Sequence, residues 1–200
     1  MGPQDSSLIA VDVALVPPEW VQEHARRINA ELLAGGLRLD ATHVPHISLA
    51  QFFVLRGTVP LLAERLHLVL RAASALPISV LAVVDQQSTI SFLLDRTPEL
   101  LELHEGLMDA VKEWEETDGG AEAFYSDGES VREKDVKWAA NFRTEASYRK
   151  FVPHITLGFG PMPARTEPFD FIANSVGLFH LGRFCTCRIA FHQWQLLAHP

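Results

Sequence analysis

The chain has 200 residues, 48% hydrophobic and 21% charged, with 17 basic against 25 acidic side chains and a formal net charge of −8. That length makes one domain or two tightly joined lobes, able to bury roughly 70% of the extended surface without the help of a metal or disulfide. The composition excludes intrinsic disorder, collagen-like repeats and coiled coil; the acidic balance argues against a long duplex nucleic-acid footprint, and no apolar run reaches the ~18 residues of a membrane span.

Net acidity leaves room for a small pocket holding a single phosphate. Residues 1–7 are polar and lack the basic region of a secretory signal, so the expectation is a cytoplasmic protein, taken as a monomer. Cys185 and Cys187 stand two apart, where a bridge would be strained, and read as reduced, packing thiols.

Taken in chain order, residues 8–16 form an apolar, β-branched strand that ends at Pro17 and Pro18. A helix follows, with Val21, Ala25, Ile28 and Leu32 on one face, and Gly35 and Gly36 stop it. Residues 44–55 read as extended, and Pro60 opens a helix carrying Leu62, Leu66 and Val69. Strands at 78–84 and 89–94 are joined by the polar turn 85–88. Thr97-Pro98-Glu99 starts a helix: a capping hydroxyl, a proline at the first position and an early acid. Its face runs through Leu100, His104, Leu107, Val111 and Trp114, and it closes at Asp118-Gly119-Gly120. Residues 117–147 are more charged and read as an inserted loop or lid in a single domain spanning 1–200. Residues 151–159 and 187–197 read as extended. The mixture predicts an α+β fold with antiparallel sheets.

A repeat emerges from this order. Strand, Pro-Glu, helix and Pro45-His46-Ile47-Ser48-Leu49 in the first half match strand, Pro98-Glu99, helix and Pro153-His154-Ile155-Thr156-Leu157 in the second. Two like halves facing one another place matching residues around a shared cleft. On a strand, His46 and Ser48 share one face, as do His154 and Thr156, while the isoleucine and leucine of each copy face a core. By the same alternation Ala50, Phe52, Gly158 and Gly160 continue the cleft face, with Phe52 placed to contact a base or else to pack in the core.

Breaking a phosphodiester requires a proton taken from the attacking oxygen and one given to the leaving oxygen. Two imidazoles, with ordinary pKa values near 6.5, can do both at neutral pH, and the nearby hydroxyls can hold the non-bridging oxygens. This scheme calls for no metal or other cofactor. The paired His-x-[Ser/Thr]-apolar motifs resemble those of the 2H phosphoesterase superfamily, which includes 2′-5′ RNA ligase-like and cyclic phosphodiesterase proteins. The resemblance implies a bilobal α+β fold, with two pseudo-symmetric lobes of antiparallel sheet, helices outside and a central cleft. It implies metal-independent hydrolysis of 2′,3′-cyclic phosphate or 2′-5′-linked nucleotide or RNA ends. His46 and His154 would be the acid/base pair, and Ser48 and Thr156 the phosphate-holding hydroxyls. Ala50-Gln51-Phe52 and Gly158-Phe159-Gly160 follow the motifs where several members carry basic residues, which favours a small nucleotide or RNA terminus over a folded RNA.

Residues 132–150 hold six basic against three acidic side chains, a local charge of +3, with Trp138, Phe142 and Tyr148 interleaved. Aromatics stack on bases while cations meet phosphate, so Trp138, Arg143, Tyr148 and Arg149 are expected along one wall of the substrate site. The other seven histidines, His104 among them, are given helix or surface positions. Two other functions compete: a module that binds phosphorylated nucleotide or RNA ends without chemistry, and a metal-dependent hydrolase. The second is disfavoured because no carboxylate accompanies either motif at short spacing.

Overall fold

The computed structural model describes residues 5–32, 36–86, 89–163 and 167–198. The strands are β1 (Leu8–Val16), β2 (Ile47–Leu55), β3 (Leu76–Gln86), β4 (Thr89–Leu94), β5 (His154–Phe159), β6 (Phe169–Ala173), β7 (Ser175–Gly182) and β8 (Thr186–Gln195). They form two antiparallel four-stranded sheets, ordered β2-β1-β7-β8 and β5-β4-β3-β6. The α+β fold is therefore two-lobed, and each motif strand is an edge strand of its sheet. The helices are α1 (Glu19–Glu31), α2 (Val59–Leu70), α3 (Pro98–Val111) and α4 (Glu133–Glu145). No helix among the described residues is long and apolar enough to cross a membrane.

Local chemistry accounts for the boundaries. Pro17 and Pro18 end β1, and Pro18 becomes the N-cap of α1 in extended conformation. Thr97 caps α3 by accepting from the Leu100 amide at 3.3 Å, with Pro98 at the first helical position. Gly36 takes a φ of 78°, as a turn after a helix favours, while Gly35 and the turn residues Gln87 and Ser88 lie outside the described residues.

The helices cross between the halves: α1 packs against β5, and α3 against β2. Ile9, Val11, Val13 and Leu15 of β1 join Ile47 and Leu49 of β2 and Ile155 and Leu157 of β5 in the main core. The opposite face of β1 carries Ala10, Asp12 and Ala14, in keeping with the two-residue period of a strand.

Each motif strand has a β-bulge directly after its hydroxyl residue. In β2, Ser48 pairs with Ala14 and Ala50 with Val13, leaving Leu49 unmatched. In β5, Thr156 pairs with Ser91 and Gly158 with Ile90, leaving Leu157 unmatched. An extra residue reverses the parity of everything after it. The expectation that Ala50, Phe52 and Gly158 continue the cleft face is therefore corrected. Phe52, 2% exposed, and Ala50 lie in the main core, and Gly158 faces Asn29 and Leu32 of α1. Gln51 takes the position beside Ser48 instead, donating to its Oγ at 2.9 Å.

Residues 117–147 are more regular than their composition suggests, because they include the 13-residue helix α4. Together with Ala123 and Phe124, Ala139 of α4 packs on Ala10, Ala14, Phe53 and Phe179, so this segment covers part of the cleft face of the first sheet. Strands β6 and β7 were not expected. Two glycines and a histidine interrupt the alternation in Ser175–Gly182, although β7 is a central strand.

Candidate active site

His46 stands immediately before β2, and His154 is the first residue of β5. Both rings are fixed in the same way. His46 Nδ1 donates to the Val44 carbonyl at 2.7 Å and His154 Nδ1 to the Val152 carbonyl at 2.9 Å, each two residues back along the chain. With Nδ1 committed to the backbone, Nε2 is the nitrogen left for chemistry in both rings. Ser48 of the first motif and His154 of the second line one cavity of about 220 Å³, so the halves do share a cleft. Phe151, Phe142, Trp138, Lys150, Glu145 and Gln86 complete much of its wall.

The two halves differ in charge. Asp12 of β1 is 0% exposed, and its Oδ2 lies 3.4 Å from His46 Nε2. The same oxygen accepts from Ser48 Oγ at 2.7 Å and Gln51 Nε2 at 2.8 Å. Burial disfavours the charged His46 ring, but the hydrogen bond and charge of Asp12, with help from the Val44 carbonyl, outweigh it and raise the pKa. Burial lowers the pKa of His154, and the charge of His46 pushes it further down.

Asp12, His46 and Cys187 bring ligand atoms within 4.8 Å of one another. Burial drives the Cys187 thiol pKa far up, so ionising it to bind a metal is costly, and the set fits a metal poorly.

A family model described as the 2′-5′ RNA ligase superfamily matches residues 16–170. The chain belongs to the 2′-5′ RNA ligase superfamily. Solved structures share its fold at low identity. TT0787 of Thermus thermophilus matches with a TM-score of 0.58 and 16% identity, covering 96% of this chain and 100% of that one. Escherichia coli LigT complexed with ATP matches at 0.57 and 14%, covering 96% and 99%. LigT complexed with 3′-AMP matches at 0.53 and 15%, covering 94% and 97%. No curated protein matches the sequence.

Within this superfamily member, the residues expected along the wall divide. Trp138, 41% exposed, lines the cavity from α4. Arg143 is instead held by Glu115 at 2.6 and 2.7 Å, by the Met108 carbonyl and by the Tyr148 hydroxyl. Tyr148 in turn donates to Asp109 at 2.7 Å. These two side chains fasten α4 to α3 and its continuation, away from the cavity lining. Arg149 is exposed and outside that lining. Thr156 is half-buried two residues after His154 on β5, on the same strand face, and lies outside the cavity lining itself. Sequence reasoning missed Asp12 and Gln51. The available signal was a single acid within the otherwise apolar Leu8–Val16 strand, since a buried charge needs a reason to be there.

Proposed function

We propose that this superfamily member is a phosphodiesterase that opens 2′,3′-cyclic phosphates or 2′-5′-linked nucleotide ends by two-histidine general acid/base catalysis. The observation that carries the reading is the duplicated ring geometry, His46 and His154 each held through Nδ1 at the start of matching motif segments in two different sheets. Nε2 is then the atom of each ring that exchanges a proton with substrate, with Asp12 3.4 Å from that of His46. One imidazole takes a proton from the attacking water as its oxygen bonds to phosphorus. The other gives a proton to the ribose oxygen as the P–O bond breaks, so the imidazole pair ends with its protonation exchanged. Neither transfer calls for a metal.

The Thr156 hydroxyl is the donor suited to a non-bridging oxygen, because the Ser48 hydroxyl is already spent on Asp12. Ser48 would serve phosphate by turning away from that carboxylate. The LigT structures with ATP, 3′-AMP and phosphate support a nucleotide phosphate as the ligand class. A cavity near 220 Å³ is below the ~300–1,000 Å³ of usual ligand pockets, which favours one nucleotide unit over a long strand.

The test is turnover of 2′,3′-cyclic mononucleotides and 2′-5′ dinucleotides by the full chain in the presence of chelator. His46→Ala and His154→Ala should each reduce kcat at least ~100-fold while still binding nucleotide. Wild-type protein that binds these nucleotides and turns none of them over would be a binding module and not an enzyme.

A further inference from the structure

We propose that Asp12 is the positioning carboxylate of His46, making His46 the general acid and leaving His154 as the general base. The inference rests on the two-histidine reading above and adds a direction to it.

The argument begins with two acceptors facing each other. With its Nδ1 proton on the Val44 carbonyl, a neutral His46 ring turns a lone pair on Nε2 toward Asp12 Oδ2, 3.4 Å away. Lone pair against carboxylate is repulsive. A proton on Nε2 converts the same contact into attraction, so the geometry selects the imidazolium. The Asp12 side makes the same demand. A fully buried carboxylate needs compensating charge, and its remaining partners, Ser48, Gln51 and the Cys187 thiol at 3.9 Å, are neutral donors. Its Oδ1 has no partner among the described residues.

The contact is also long for a hydrogen bond, whose usual N···O distance is about 2.9 Å. Asp12 can favour the charged ring without capturing the proton that the leaving oxygen must receive. Around this pair stand the Cys187 thiol from β8, the His154 ring from β5 and, along the cavity, Glu145 of α4 and Lys150. The raised pKa of His46 and the lowered pKa of His154 agree with the assignment.

Strand register shows that one residue breaks the symmetry. Asp12 pairs with Gln51, two residues past the bulged Leu49. The same place in the second half pairs Thr89 with Phe159, two residues past the bulged Leu157. Thr89 carries no charge to hold His154 protonated.

Three measurements test the assignment. In wild-type protein, ¹⁵N ring shifts at pH 7 should show His46 protonated on both nitrogens and His154 on Nδ1 alone; the reverse pattern overturns the proposal. This reading needs no turnover, so it stands or falls apart from the phosphodiesterase assignment. In Asp12→Asn, the alkaline limb of the kcat profile should move down by about one pH unit, with KM within threefold; the acid limb should move down by less, because the Asp12 charge is the smallest influence on His154. An unmoved alkaline limb, or movement of the acid limb alone, overturns it. Finally, bis(p-nitrophenyl) phosphate has a leaving group that needs little protonation. His46→Ala should lose far less on this substrate than on a cyclic phosphate, whereas His154→Ala should lose ~100-fold on both. If chelated protein is inactive and zinc restores it, the Asp12–His46 contact serves a cation and the proposal fails.

Discussion

His104 Nδ1 donates to the carbonyl of Leu49 at 2.7 Å, at the bulged residue of β2 that has no partner on β1. Its counterpart is Asn29 of α1, whose Nδ2 donates to the carbonyl of Leu157, the bulged residue of β5, also at 2.7 Å. A bulge leaves a backbone group out of the ladder, and a buried one must be satisfied. Here a helix from each half satisfies the bulge beside the other half's histidine motif. The two lobes are thereby tied together at the residues that follow Ser48 and Thr156.

Replacing His104 with alanine should lower stability by roughly 3–5 kcal/mol in urea denaturation. The change leaves the Leu49 carbonyl and the Tyr148 amide unpaired and empties a ring stacked on Phe151 at 3.9 Å. The role requires a neutral ring, donating at Nδ1 and accepting at Nε2. Burial, with a smaller contribution from Arg96 and Arg143, lowers its pKa to about 4. The unfolded chain therefore binds a proton more readily than the native one. His104 contributes fully above its ordinary pKa near 6.5 and progressively less as pH falls toward 4, a difference of about 3 kcal/mol. His104→Ala should flatten that part of the stability–pH curve, and an unchanged slope would refute the assignment.

Gly158→Ala tests the matching bulge in β5. Gly158 has a φ of 148°, and an added Cβ would stand 2.8 Å from Asn29 Nδ2 and 3.2 Å from Leu32 Cδ1. Strain of about 1–3 kcal/mol and displacement of Asn29 from the Leu157 carbonyl are expected together. Thermal denaturation should register the first, and a fall in kcat larger than any change in KM should register the second, through Thr156. Wild-type Tm and kcat would mean that the backbone relaxes freely there.

The parts of this molecule legible in the sequence are those with a local cause. Pro17, Pro18, Thr97 and Pro98 mark boundaries that the structure keeps, and the two pentapeptides locate both motif strands. The bulges were hidden because Ile47–Leu55 is apolar on both sides of the break, so neither parity looked wrong. Helix α4 was hidden because it meets the first sheet partly through small residues, Ala139 among them, and buries Asp135 among its charges, which breaks a simple apolar stripe. Asp12 lies 36 positions from Ser48, and only strand pairing brings them together.

For wild-type protein, kcat should be bell-shaped in pH with limbs spread to either side of the ordinary imidazole value. Burial lowers the His154 pKa, so its neutral form persists into more acid solution. Asp12 outweighs burial at His46, so that ring's charged form persists into more alkaline solution. One neutral and one protonated ring coexist between the two limbs. A profile rising monotonically from acid to alkaline pH would contradict a two-histidine mechanism.

Arg143 and Arg149 should separate cleanly. Arg143→Ala removes an ion pair to Glu115 and a bond to the Met108 carbonyl, freeing α4 from its support. A loss of about 1–3 kcal/mol in stability is expected, with activity falling as α4 shifts. Arg149→Ala, at an exposed site outside the cavity lining, should leave Tm within a degree or so and kcat/KM within about twofold. A large rise in KM for Arg149→Ala alone would return that residue to the substrate wall.

Trp138 is the wall residue with an open face toward the cavity. It is 41% exposed and leans edge-on against Phe142 with ring centroids 6.1 Å apart. Such a ring offers a stacking platform to a base whose phosphate sits near His154, and base–aromatic stacking is worth about 1–3 kcal/mol. Trp138→Ala should then raise KM for a 2′,3′-cyclic mononucleotide roughly 5- to 100-fold, with kcat changed by less than about threefold. Trp138→Phe should recover most of the loss, because the π face and not the indole N–H does the binding. A fall in kcat at unchanged KM would instead assign Trp138 to holding α4 against the sheet.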